Sequence, residues 1–318
     1  MTPLHRQSGA AALLATAIFA VAVHGPVLAV DDLAERYVKL VLAVGVHDAD
    51  YVDSYYGPPD WREAVTAARR GIPELEADAK ALLAAIESQP PPAGAEELVQ
   101  LRHQYLRRQV ESLQSRLAML RGERLAFDVE SKLLYDAVAP THAEQEFDAV
   151  LAELARHLPG EGALLDRYQA FRARFEIPKE RLSAVFDAAI EGCRARTLKH
   201  IDLPAGESFT IEYVTDKSWS GYNWYQGNYR SLIQINTDLP IYIDRAIDLA
   251  CHEGYPGHHV YNVLLEQQLM RARGWQEYSV YALFSPQSLI AEGTANYGIE
   301  VAFPDDERRA FERDVLFP

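Results

Sequence analysis

His252-Glu253-Gly254-Tyr255-Pro256-Gly257-His258-His259, followed downstream by Glu292-Gly293-Thr294-Ala295-Asn296-Tyr297, carries the chemistry of this chain. These two stretches bring imidazoles and carboxylates onto what otherwise reads as helix. A catalytic zinc needs three protein ligands, an open position for water, and a nearby carboxylate to take the water's proton. His252, a second histidine and Glu292 are the expected ligands, with Glu253 as general base and one Zn2+ per chain as cofactor. His and carboxylate donors suit zinc, although cobalt or manganese would fit the same set.

The histidine spacing needs an explanation. In the pattern H-E-x-x-H two imidazoles stand four residues apart, about 6 Å along one helix face. Here Pro256 occupies that fifth position, and the second imidazole comes six residues on (His258) or seven (His259). On an unbroken helix that is about 9 to 10.5 Å. Proline within a helix clashes with the carbonyl four residues earlier, which belongs to His252, and pushes the preceding Tyr255 from helical angles. A break or bulge is therefore predicted over 254–257, with the helix restarting near Pro256. It would return His258 to the place of the fifth residue. A helix N-terminus also disfavours imidazolium, which helps keep a ligand neutral. His258 is preferred, with His259 as the alternative ligand or a substrate-contacting group. Glu292 lies in an apolar-rich segment, where an unpaired buried carboxylate would be costly, so a metal partner is expected for it.

The motifs His-Glu-x-x-Pro-Gly-His-His and Glu-Gly-x-Ala-x-Tyr, spanning 252–297, resemble the signature of a bacterial family of unknown function grouped with the gluzincin-like zinc metallopeptidases. Related helical peptidases use His-Glu-x-Gly-His and a downstream Glu, and Gly257-His258 echoes that Gly-His. The resemblance implies a mainly α fold with a small β-sheet next to the metal-binding helix, and peptidase activity. It also implies that residues 231–237 act as the strand edge against which an extended substrate lies.

Residues 1–29 read as a secretory signal peptide. Arg6 precedes the apolar run AAALLATAIFAVAV, which is too short to span a membrane, and Val27-Leu28-Ala29 fits a small-residue cleavage site. An exported protein, periplasmic or secreted, is expected, with no membrane span in the mature chain. Removing 1–29 takes away only Arg6 among the charges, so the net charge goes from −15 to −16. So acidic a chain does not bind nucleic acid by simple attraction. Cys193 and Cys251 are the only cysteines. Cys251 adjoins His252 in an apolar run, so buried free thiols are expected in preference to a disulfide.

Apolar residues at three- and four-residue spacing predict helices near 32–48, 74–88, 95–121, 126–137, 142–158, 161–174 and 178–199. This gives an N-terminal helical region over 30–200 and a metallopeptidase-like region over 201–318. Alternation predicts strands at 209–214 and 231–237, joined by an aromatic loop over 219–229. Tyr222, Tyr225 and Tyr229 in that loop, and Tyr297 downstream, are the candidates for substrate or oxyanion contact. Only 26 residues follow Glu292, whereas in related peptidases further helices complete the cleft, so a C-terminally truncated chain is one expectation. The substrate expected is a peptide or small amide. Two other classes remain: a non-catalytic peptide or cell-wall binding protein, and a metal hydrolase of a non-peptide ester or amide.

Overall fold

The structure is a computed structural model and describes residues 25–317, with side chains from residue 30. The expected signal peptide therefore lies outside the described residues, apart from 25–29, which are backbone of the first helix. The chain is mainly helical, as the periodicity predicts. Helices α1 (Gly25–Gly45), α3 (Ile72–Glu87), α4 (Glu97–Leu120), α5 (Phe127–Tyr135), α6 (Glu144–His157), α7 (Leu164–Arg172) and α8 (Leu182–Thr197) overlap the predicted segments, with bounds within a few residues except at the start of α1, which lies earlier than the predicted residue 32. Helix α2 (Pro59–Ala68) is unforeseen; it buries no residue fully and meets the first core only through the half-buried Trp61 and Val65.

The first core is made by α1, α3 and α4, where Leu75, Leu82, Leu106, Val110 and Leu113 are fully enclosed. Strand β1 (Val52–Tyr55) pairs antiparallel with β5 (Val280–Ala282), and Val280 and Ala282 join this same core. The second core gathers α8, the sheet and the site helices, with Phe186, Ala189, Ile233, Ile235 and Ile247 at its centre. Helix α8 and Ile177 before it thus belong to the second core. The β1–β5 pair carries the early part of the chain to the site.

The other sheet has β2 (Ser208–Val214), β3 (Gly221–Gly227) and β4 (Arg230–Asn236) in the order β2-β4-β3. β2 runs parallel to β4, and β3 antiparallel to it. Two sequence expectations are corrected here. The aromatic segment is not a loop, since 221–227 is a strand whose buried positions are Asn223, Tyr225 and Gly227. The strand at 231–237 is central, so it offers no free edge; the edges are β2 and β3, of which β3 borders the site.

Cys193 of α8 and Cys251 form a disulfide, with Cα atoms 5.6 Å apart. Both residues are fully buried, as expected, but they are not free thiols. Packing α8 against the Cys251 turn brings the two sulfurs together, a pairing that local sequence does not reveal.

Candidate metal centre

Helix α9 (Ile243–Leu249) leads into a π-helical turn, Ala250–Gly254, that holds His252 and Glu253. The widened turn is closed by the Tyr255 N–H on the Ala250 carbonyl at 3.1 Å and the Gly257 N–H on the Cys251 carbonyl at 2.9 Å. Tyr255 is extended, and α10 (His258–Leu264) begins at His258, two residues later than expected. π-Turns of this kind accommodate extra residues within a helix and concentrate at functional sites. Gly257 is obligatory for close approach, since a Cβ there would lie 1.8 Å from the His252 carbonyl oxygen. The expected break is present, and it absorbs the extra spacing.

The consequence is convergence. His252 Nε2 and His258 Nε2 face each other at 3.1 Å. Glu292, on α11 (Pro286–Ala302), places Oε2 3.3 Å from His252 Nε2 and Oε1 3.3 Å from His258 Nε2. Donors at 2.0–2.1 Å from a tetrahedral zinc are about 3.3 Å from one another. The two imidazoles stand at about that separation, and each is equally close to a different oxygen of the Glu292 carboxylate, so one donor atom from each of the three side chains lies within 4.8 Å of the others. His252, His258 and Glu292 are the one group of three or more potential ligands with this closeness among the described residues.

His259 points elsewhere. It is fully buried, with Nδ1 2.9 Å from Ser231 Oγ and Nε2 3.0 Å from Glu207 Oε2. Glu207 also accepts from the Tyr255 hydroxyl at 2.7 Å and from Arg194 at 2.6 Å. Although burial opposes its charge, the His259, Tyr255 and Arg194 donors hold the Glu207 carboxyl down at about 2. This network pins the residues on both sides of the break to the sheet.

Electrostatics at the cluster are dominated by acids. The two imidazoles hold Glu292 well below the carboxylate range. Burial works against a charged His258, but Glu292, Glu253 and Asp53 outweigh it and raise its pKa. The expected effect of the helix end, favouring neutral imidazole, is overridden by these carboxylates. They attract positive charge to this point, whether a proton or a metal cation. Glu253 is buried, and burial pushes its carboxyl up. Asn223 Nδ2 donates to the Glu253 carbonyl at 2.7 Å, and a Cβ at Gly221 would stand 3.1 Å from Glu253 Oε1. Strand β3 thus presses on the metal-binding turn at a glycine.

These groups open on a cleft of about 1160 Å³. Its lining includes His252, Glu253, His258, Glu292 and, from β3, Gly221 to Asn223. Glu292 departs from the expectation of a buried acid, since its side chain is 56% exposed and its apolar neighbours Leu289 and Ile290 face outward. Of the tyrosine candidates only Tyr222 lines the cleft, and its hydroxyl donates to Asp53. Tyr225 is turned to Glu266 at 2.5 Å, Tyr229 lies beneath Arg271, and Tyr297 is exposed.

Two cleft residues escaped the sequence reading. Asp53 of β1 is half-buried, and the loss of solvent around it raises its carboxyl to about 6 despite the Tyr222 hydrogen bond. Tyr281 of β5 is buried and also lines the cleft. Both arrive through pairing of strands more than 200 residues apart, for which the only sequence signal is the brief alternation around Val52-Asp53-Ser54-Tyr55. Comparison with protein-family models, with curated proteins and with solved structures finds no match to this chain. What the site can do follows from its geometry: three convergent donors, a buried carboxylate next to them, and a cleft large enough for several residues of peptide.

Proposed function

We propose that the protein is an exported zinc-dependent hydrolase that cleaves peptide bonds. The observation that carries this reading is the convergence of His252, His258 and Glu292, with the two imidazole Nε2 atoms 3.1 Å apart and each 3.3 Å from one oxygen of the Glu292 carboxylate. Zinc held there would supply a Lewis acid that polarises the scissile carbonyl and makes water acidic near neutral pH. Glu253, buried and with a raised pKa, accepts the proton of the attacking water and passes it to the leaving amine. Edge strand β3, whose residues 221–223 line the cleft, offers backbone groups to an extended peptide. Tyr281 takes the place of Tyr225, Tyr229 and Tyr297 as a candidate oxyanion donor beside Tyr222, because it lies on the cleft wall. The Cys193–Cys251 disulfide supports export, since such bonds persist in oxidising compartments.

The test is cleavage of a mixed peptide library by zinc-loaded wild type and Glu253→Gln. Loss of about 10²–10⁴-fold in rate is expected, with metal content unchanged. Cleavage that survives the substitution contradicts the assigned base, and absence of cleavage by zinc-loaded wild type contradicts peptidase activity.

A further inference from the structure

The cleft lining carries both signs of charge. Asp53, Glu253 and Glu292 stand with the two histidines, and Arg172, Lys217 and Arg245 line the same cleft, with Arg245 near enough to Glu253 to act on its carboxyl. In a chain with 46 acidic and 31 basic side chains, the ordinary fate of a cation is an acidic neighbour. Arg172 and Lys217 pair with no carboxylate among the described residues. Arg172 lies over the ring of Tyr242 at 4.0 Å, and Lys217 is 5.9 Å from the ring centre of Trp219.

Arg245 is only loosely engaged. It is 3.6 Å from Asp248, which also takes Arg308 at 2.8 Å, and it donates to Ser220 Oγ at 2.8 Å. The surrounding wall is fixed. Asn236 Nδ2 donates to the Lys217 and Trp219 carbonyls at 3.0 and 2.9 Å, and Tyr242 supports Arg172 from within the lining. The nearby acid Asp238 accepts the Asp216 N–H at 2.7 Å, so that carboxylate is already engaged. Three cations facing one cleft without strong internal partners fit an anionic group of the substrate. Guanidinium groups bind carboxylates bidentately, and lysine adds a point charge.

The helix supplies a ruler. Arg245 precedes His252 by seven residues, about 10 Å along the axis. An extended peptide advances about 3.3–3.6 Å per residue, so the carboxylate held at Arg245 belongs two or three residues beyond the bond at the metal cluster. We propose that Arg245, Arg172 and Lys217 form a carboxylate-binding subsite that selects short peptides by their free C-terminus and places the scissile bond two or three residues before it. The position of that bond rests on the hydrolase reading above, whereas carboxylate recognition does not.

The experiment immobilises the full-length Glu253→Gln protein and passes over it equimolar pentapeptide pools, one with free C-termini and one amidated, with retained peptides quantified by mass spectrometry. Retention of free acids at least about tenfold above amides is expected, the scale of one charge-assisted hydrogen bond. Arg172→Gln together with Arg245→Gln should bring that ratio to about twofold or less while leaving amide retention unchanged. Equal retention of the two pools, retention of neither, or a preference that persists in the Arg172→Gln/Lys217→Gln/Arg245→Gln protein overturns the subsite. A clear preference for free acids without cleavage by zinc-loaded wild type would retain the subsite and reject the hydrolase reading. Cleavage of acids and amides alike, with equal retention, would do the reverse.

Discussion

Reduction of the Cys193–Cys251 bond should weaken both the fold and the metal site. The bridge closes 58 residues, a segment that contains all of β2, β3, β4 and α9. On the chain-entropy account, a loop of that length stabilises the folded state by about 4 kcal/mol. For a protein of this size each kcal/mol corresponds to about 2–3 °C in melting temperature, so a fall of about 10 °C is expected. Cys251 immediately precedes His252, so releasing α8 from this turn should also lower affinity for zinc. The assay is thermal unfolding by circular dichroism of oxidised, fully reduced and Cys193→Ala/Cys251→Ala protein, with zinc titrated into each. Two reactive thiols in urea-unfolded protein that has seen no reductant would refute the bridge. A melting temperature unchanged by complete reduction would refute the stability argument.

Three further perturbations probe the surroundings of the site. Glu207 has a folded pKa of about 2 against an ordinary value of 4.5, so its contribution is complete above about pH 4.5 and is lost as pH falls toward 2. Glu207→Gln should flatten stability across that window and cost at most about 3 kcal/mol above it, discounted because Arg194 is partly exposed; urea unfolding from pH 2 to 7 checks this, and an unchanged pH slope contradicts it. Tyr222→Phe removes the hydrogen bond that lowers the Asp53 carboxyl, so its NMR titration should move upward from about 6, and a stationary titration would refute the pairing. Gly257→Ala places a Cβ 1.8 Å from the His252 carbonyl, and should either prevent folding or cost several kcal/mol with loss of bound metal; a variant with wild-type melting and metal content would show that the turn is not as described.

The helices were legible because their buried faces recur at helical spacing, as in Leu106, Val110, Leu113 and Leu117. The helix break was legible because Pro256 is chemically incompatible with a continuous helix over His252. Strand β3 was hidden by composition, since its inward positions hold Asn223, Tyr225 and Gly227 where aliphatic residues would announce a strand. Residues brought in by distant pairing were not legible: Asp53 and Tyr281 through β1 and β5, and Cys193 through the packing of α8. The sequence favoured His258 over His259 but did not show why His259 turns away. The choice rests on Ser231 and Glu207, which engage both nitrogens of His259 and leave His258 to meet His252 and Glu292.

Metal content of purified protein by plasma mass spectrometry tests the central claim most directly, comparing wild type with His252→Ala, His258→Ala, His259→Ala and Glu292→Ala, each confirmed as folded. About one zinc per chain is expected in wild type and in His259→Ala, with loss in the other three. Folded wild-type protein that takes up no stoichiometric zinc when it is supplied, or metal lost with His259 and retained without His258, would contradict the site described above.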